Sequence, residues 1–233
     1  MKKILLTLAF VPISALSAFA GDLWLGAGFD TTFTTISGQS DWKSKAGFGG
    51  EARFEWGLTD QFSLEFQPGY LNQAVKGHVN AYSTTQYVCV IMGPLRLCSN
   101  LTSNHPAYDW ERSYGTMNVP VLAKFKFLKK GVTPYAVAGP TLDLPLSAKY
   151  HKTVDGGSDS ESDFKDELSG VGLGLAAGLG VDVPLGGAAR VFVEGQYQLG
   201  LTDAYKEESA VGGKFRTILV KVGVDFRLGK HKS

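Results

Sequence analysis

Between Phe48 and Tyr70 the chain changes character at every step. Phe48, Ala52, Phe54, Trp56 and Leu58 hold one parity, while Gly49, Glu51, Arg53, Glu55 and Gly57 hold the other. A second run repeats the pattern, with Phe62, Leu64, Phe66 and Tyr70 set against Ser63, Glu65 and Gln67, and only Leu58-Thr59-Asp60-Gln61 lies between the two. Period two without a helical component marks strands, and so short a link between two such runs marks a tight hairpin turn. The expected fold is all-β.

The same alternation recurs along the chain. It runs through Leu23, Leu25, Ala27 and Phe29, and through Met117, Val119, Val121, Ala123, Phe125 and Phe127 against Asn118, Lys124 and Lys126. Later strands are expected from Val171 to Val183, from Val191 to Leu201, and at Ile218, Val220, Val222, Val224 and Phe226. The fifth strand, Pro134 to Ser147, changes its apolar parity from Tyr135 and Val137 to Leu142, Leu144 and Leu146. Gly139-Pro140 at the change predicts a bulge there. About eight strands result.

The links sort by length. Those near Thr59, Lys130 and Gly186 are short, and the ones between them are long and polar. A transmembrane antiparallel up-and-down barrel sorts its links this way, with short turns in the periplasm, whereas a soluble sandwich has no reason to. Eight strands enclose room for little more than side chains, so the aromatic parity is expected outward, toward lipid. The inward parity then holds Glu51, Glu55, Glu65, Glu194 and Asp225 against Arg53, Lys124, Lys126, Lys221 and Arg227. Five acids facing five bases predict an ion-pair network that plugs the lumen, because unpaired buried charges are costly. Gly170, Gly172, Gly174, Gly178 and Gly180 on the inward parity of strand six are expected to leave room for those long side chains.

The N-terminus fits this destination. Lys2 and Lys3 precede an apolar run from Ile4 to about Ala15, and Ala18-Phe19-Ala20 closes it, which is the pattern of a secretory signal peptide over residues 1–20. Residues 21–233 then form one β-barrel domain. Cleavage removes two of the 23 basic residues, so the net charge of +1 becomes −1, and nothing in that balance suggests a nucleic-acid partner. No later segment approaches 18 consecutive apolar residues, so a membrane would be crossed by strands.

Cys89 and Cys98 are the only cysteines of an exported chain. A hairpin turning at Gly93-Pro94 would set them opposite each other, and a disulfide is expected. They fall within the long connection of about residues 71–112, whose Val90, Ile91, Met92, Leu95 and Leu97 suit either contact with an extracellular protein or a cap over the barrel mouth.

Catalytic and metal chemistry have little to build on. His78, His105, His151 and His231 fall in expected loops or the tail without metal-ligand spacing. His151 near Ser158 and Asp159 is the one trace of a hydrolytic group. The acidic run Asp155, Asp159, Glu161, Asp163, Asp166 and Glu167 lacks the glycine and terminal glutamate of a calcium loop. No catalytic residue, cofactor or metal is expected.

The chain resembles the PorT-like outer-membrane β-barrel family and, more distantly, the small OmpA and OmpX barrels. The resemblance is carried by Asn118-Val119-Pro120-Val121-Leu122-Ala123-Lys124-Phe125-Lys126-Phe127, by Thr133-Pro134-Tyr135 through Ala138-Gly139-Pro140, by the glycine-rich sixth strand, and by Phe192 through Leu201 to the last strand. It implies an outer-membrane location among lipid and lipopolysaccharide, folding by the barrel assembly machinery, and no shared catalytic activity. Val222, Val224 and Phe226 then correspond to the assembly signal, although Arg227 to Ser233 extend beyond the aromatic residue on which such barrels usually end. The expected role is a monomeric membrane anchor with surface interaction loops and both mature termini periplasmic. A narrow pore or small-molecule carrier is the alternative, and a lipid-modifying enzyme is a third.

Overall fold

The structure, a computed structural model, describes residues 22–37, 43–92, 95–154, 159–168, 170–204 and 213–228, the side chains of 87–98, 101 and 167 aside. The expected signal peptide lies outside the described residues. Twelve strands appear among the described residues: β1 (Leu23–Ile36), β2 (Lys43–Gly57), β3 (Phe62–Phe66), β4 (Gly69–Val79), β5 (Tyr82–Met92), β6 (Leu95–His105), β7 (Tyr108–Lys126), β8 (Thr133–Val154), β9 (Ser160–Asp163), β10 (Gly172–Gly186), β11 (Ala189–Gly200) and β12 (Phe215–Leu228).

All pairings are antiparallel, and they close a ring. β1 pairs with β2 on one side and with β12 on the other, the latter from Leu23↔Leu228 to Ile36↔Phe215. β3 and β4 together make one wall position between β2 and β7, interrupted only at Gln67-Pro68. Even there the wall holds, because Ala52 N–H donates to the Pro68 carbonyl and Gln67 N–H to that of Pro120. Eight wall positions result, and a closed ring leaves no edge to aggregate.

The apolar parity faces outward. Phe54 and Val222 are 42% and 48% exposed, whereas their neighbours Arg53 and Lys221 are 0% and 1% exposed. On β12 the outward residues from Ile218 to Leu228 are all aliphatic or aromatic. At ~3.4 Å per residue and a tilt of ~40°, that run rises roughly 26 Å, the height of a membrane barrel's apolar band.

Strands β7 and β8, of 19 and 22 residues, are far longer than the ~9–11 residues a bilayer needs. Their upper halves form a wet wall with β2, β4 and β9, crossed by the row Lys43–Lys76–Glu111–His151–Glu161. There Lys149 donates to Glu161 at 2.8 Å, which holds that carboxyl below its ordinary value. The long connection is accordingly shorter than the sequence suggested. β4 continues to Val79 and β7 begins at Tyr108, so residues 71–79 and 108–112 are wall rather than loop. Charged residues on both faces of this wall, Arg112 on the face of Trp110 and Tyr114 and Glu111 on the other, interrupt the apolar alternation that marks the lower strands.

The short turns gather at one end: residues 58–61, 127–132 and 187–188. Gly187 takes φ +61° at the first of the two turn positions between β10 and β11, a place that demands glycine in a two-residue hairpin. At the opposite end lies an apolar cluster. Ile36, Val75, Tyr114, Ala148, Phe164, Leu168 and Ala204 are buried together, and the Tyr114 ring meets Phe164 and Phe215 edge-on at 5.7 and 5.2 Å.

The bulge expected at Gly139-Pro140 is absent. β8 pairs with β10 without a shift from Thr133 to Asp143, and its register with β7 slips only between Thr116↔Pro145 and Gly115↔Ser147. The apparent change of parity has another cause: Tyr135 and Val137 are buried in the lumen, while Leu146 is exposed.

Candidate functional site

The lumen is filled by side chains that the ring's register stacks into layers. Nearest the short turns, Glu55 accepts hydrogen bonds from Lys124 at 3.1 Å, from Lys126 and from Arg190. Lys124 also donates to Asp182 at 2.8 Å, and Arg190 donates to Asp225 through Nε and Nη2 at 2.9 and 2.8 Å. Arg190 and Asp225 are cross-strand partners, so β11–β12 pairing itself sets this contact.

Arg53 holds the middle layer. Its Nη2 donates to both oxygens of Glu65 at 2.7 and 2.9 Å and to Glu194 at 2.9 Å, and its guanidinium stacks 4.0 Å from the Phe192 ring centroid. Lys124 stands 3.0 Å from Glu65 and so ties the two layers together. The Tyr135 hydroxyl donates to Glu194 at 2.8 Å. Lys221 reaches Glu51 and donates to Gln67 at 3.0 Å. Above, Asn118 donates to Asp143 at 2.6 Å and exchanges bonds with Gln198.

Aromatic rings share this interior, among them Tyr135, whose apolar parity is expected to face outward. Trp24, Tyr135 and Phe192 are all buried. Glycine makes the space: a Cβ on Gly180 would lie 2.4 Å from the Tyr135 ring, and one on Gly28 or Gly223 would lie 2.9 or 2.6 Å from the Phe192 ring. The expected glycine stripe of strand six thus seats a ring at Gly180 and the amide side chain of Gln196 at Gly178, rather than long charged chains; Gly170 precedes the strand.

The even balance of five acids and five bases is also corrected. Seven carboxylates are buried among the described residues, Asp30, Glu51, Glu55, Glu65, Asp182, Glu194 and Asp225, against four cations, Arg53, Lys124, Arg190 and Lys221. Lys126 sits at the rim on Glu55. Arg227 stacks 4.8 Å from the Trp24 ring centroid, and no acid pairs with it among the described residues. Asp30, Asp182 and Arg190 are not among the expected lumen residues: Asp182 lies on the inward parity of an expected strand, and Asp30 and Arg190 lie one residue beyond the alternations at Leu23 to Phe29 and Val191 to Leu201. Both Asp30 carboxylate oxygens are buried without a hydrogen-bond partner among the described residues.

Chemically this arrangement is a plug. Arg53, Lys124, Tyr135 and Phe192 come from four strands, meet at one level, and each is 0% exposed. Tyr135→Phe keeps the ring on Gly180 but removes a hydrogen bond to a buried carboxylate. It is expected to cost about 1.5–3 kcal/mol, read as a lower urea midpoint at unchanged slope.

The remaining sequence candidates lie elsewhere. His151 Nε2 is 3.9 Å from Asp159 on the wet wall, and Ser158 is outside the described residues. Among the described residues no three histidine, cysteine or acidic side chains are grouped to hold a metal. Cys89 and Cys98 face each other in the β5–β6 register, their side chains being outside the described set. Val222, Val224 and Phe226 line the outer face of β12 beside β1.

Comparison with known proteins finds similar chains. Neisserial surface protein A is 16% identical, the alignment covering 88% of this chain and 97% of that one at a TM-score of 0.47. OprG from Pseudomonas aeruginosa is 14% identical over 90% and 97%, with a TM-score of 0.46. Ail, the attachment invasion locus protein of Yersinia pestis, is 10% identical over 89% and 99%, with a TM-score of 0.44. No curated protein matches the chain. The family model described as outer membrane protein beta-barrel domain matches residues 25–206, most of the closed ring and its lumen, and the chain belongs to that family.

Proposed function

We propose that this outer-membrane barrel is a non-enzymatic, monomeric anchor whose long-link end faces outside the cell as an interaction surface. The observation that carries the reading is the filled lumen: side chains with no accessible surface at mid-height leave solutes no path. In this reading the signal peptide is removed, both mature termini are periplasmic, and Val222, Val224 and Phe226 guide the barrel assembly machinery. The finer kinship with PorT-like barrels belongs to the same reading, resting on Asn118 to Phe127, and brings no secretion role with it.

The contact element is the β5–β6 hairpin, a two-stranded sheet outside the ring. Its register sets Val90 opposite Leu97 and Met92 opposite Leu95. Cys89 opposite Cys98 supports a bridge that stiffens it, and a stiff apolar hairpin suits an extracellular protein partner.

Deleting residues 86–99 is expected to leave membrane insertion and the heat-dependent gel shift intact while abolishing surface interactions; loss of all folding would remove the interaction role. Planar-bilayer recordings distinguish the pore reading. The purified barrel is expected to be silent, and reproducible unit conductance would replace the anchor by a pore.

A further inference from the structure

At the short-turn end the lumen opens into a mouth of about 470 Å³, within the usual range of ligand sites. Five cations line it, Lys126, Lys129, Lys130, Arg190 and Arg227, against Asp22, Asp60 and Asp182. Two of the cations are already committed to the lumen, Lys126 to Glu55, and Arg190 to Glu55, Asp182 and Asp225. Lys129 and Asp60 stand 3.6 Å apart with both side chains well exposed, a pairing that water screens. Lys130 and Arg227 have no ion pair among the described residues, and Asp22 is the one lining carboxylate with no cation partner among them.

The posture of Arg227 points to what this mouth takes. Two guanidiniums stand over the Trp24 ring, Arg190 at 4.2 Å and Arg227 at 4.8 Å from its centroid. Stacking fixes the plane of a guanidinium and leaves its N–H edge free, which is the edge that matches phosphate and carboxylate geometry. Arg227 Nε is buried with no acceptor among the described residues. Arg190, over the same ring, has its acceptors supplied by Asp225 and Glu55; the Arg227 guanidinium has none among the described residues.

We propose that this mouth binds a small phosphate-bearing polyanion, gripped by the N–H edge of Arg227 and drawn in by Lys130 and Lys129. The site stands apart from the anchor reading, since it uses neither the hairpin nor a conducting path. The phosphate could belong to a soluble molecule or to a lipid headgroup at the membrane surface.

The test is a pyrophosphate titration of the refolded full-length barrel in an uncharged detergent at fixed ionic strength, followed by the indole N–H resonance of Trp24. A saturable shift is expected, weakened tenfold or more by Arg227→Gln and several-fold by Lys130→Gln, an exposed residue whose loss leaves the fold intact. Lys149→Gln, at the opposite end, should bind as the parent does. Repeating the titration in nanodiscs with and without phosphatidylglycerol separates the sources: competition assigns the site to a lipid headgroup, and its absence to a soluble anion. A shift that fails to saturate, or that survives unchanged in both Arg227→Gln and Lys130→Gln, overturns the proposal.

Discussion

Replacing Arg53 with alanine is expected to destabilise the barrel by about 3–5 kcal/mol, because it removes one partner from a buried ionic group. Arg53, Glu65 and Glu194 are each fully shielded, and the guanidinium answers both carboxylates at 2.7 and 2.9 Å. Truncation leaves Glu65 with Lys124 as its one cation, beside the Gln67 amide, and Glu194 with neutral donors, and it uncovers the Phe192 ring. The loss would be read from urea unfolding in neutral detergent. Combining Arg53→Met with Glu65→Gln and Glu194→Gln should recover most of it, since the expense lies in the stranded charges rather than in the missing attraction. A cost below about 1 kcal/mol for Arg53→Ala would mean a hydrated lumen in which the charges never depended on each other.

Val222→Arg examines the opposite face. Val222 is 48% exposed on β12, between Val220 and Val224 in the middle of the outward apolar run. On a water-soluble protein such a change at an exposed position stays within about 0.5 kcal/mol. In lipid, arginine at mid-height costs about 2–4 kcal/mol, falling toward zero at the interfaces. Reversible unfolding from vesicles is therefore expected to show a penalty for Val222→Arg and almost none for His151→Arg on the wet wall. Equal, negligible effects at the two sites would contradict a lipid-facing β12.

Much of this architecture was legible because a two-sided wall writes itself as period two. Phe54 and Arg53, or Phe125 and Lys124, differ in environment as sharply as neighbours can, and the cramped interior of an eight-stranded ring decides which face holds the rings. Alternation says less where one parity carries both kinds of residue. Tyr135 looked like a lipid-facing aromatic, and only its position across from Gly180 in the β8–β10 register reveals a ring seated in the lumen. Phe192 hides in the same way, over Gly28 and Gly223, two strands that no local window joins to it. The charge balance failed for a related reason. Asp30, Asp182 and Arg190 are spaced correctly along their strands, but Arg190 sits beside a glycine turn and Asp30 among threonines, so neither reads as interior until the register is known. The upper wall of β7 and β8 is harder to read, since the inner face that carries Trp110, Tyr114, Ala148 and Tyr150 also carries Arg112 and Lys152.

The most direct test of a closed barrel in the outer membrane is the mobility of the membrane-fraction protein on a denaturing gel, unheated against boiled and with and without reductant. The closed ring predicts a faster unheated band in the outer-membrane fraction, with a further reductant-dependent shift if Cys89 and Cys98 are bridged. A protein recovered from the soluble periplasm with no heat shift would contradict it.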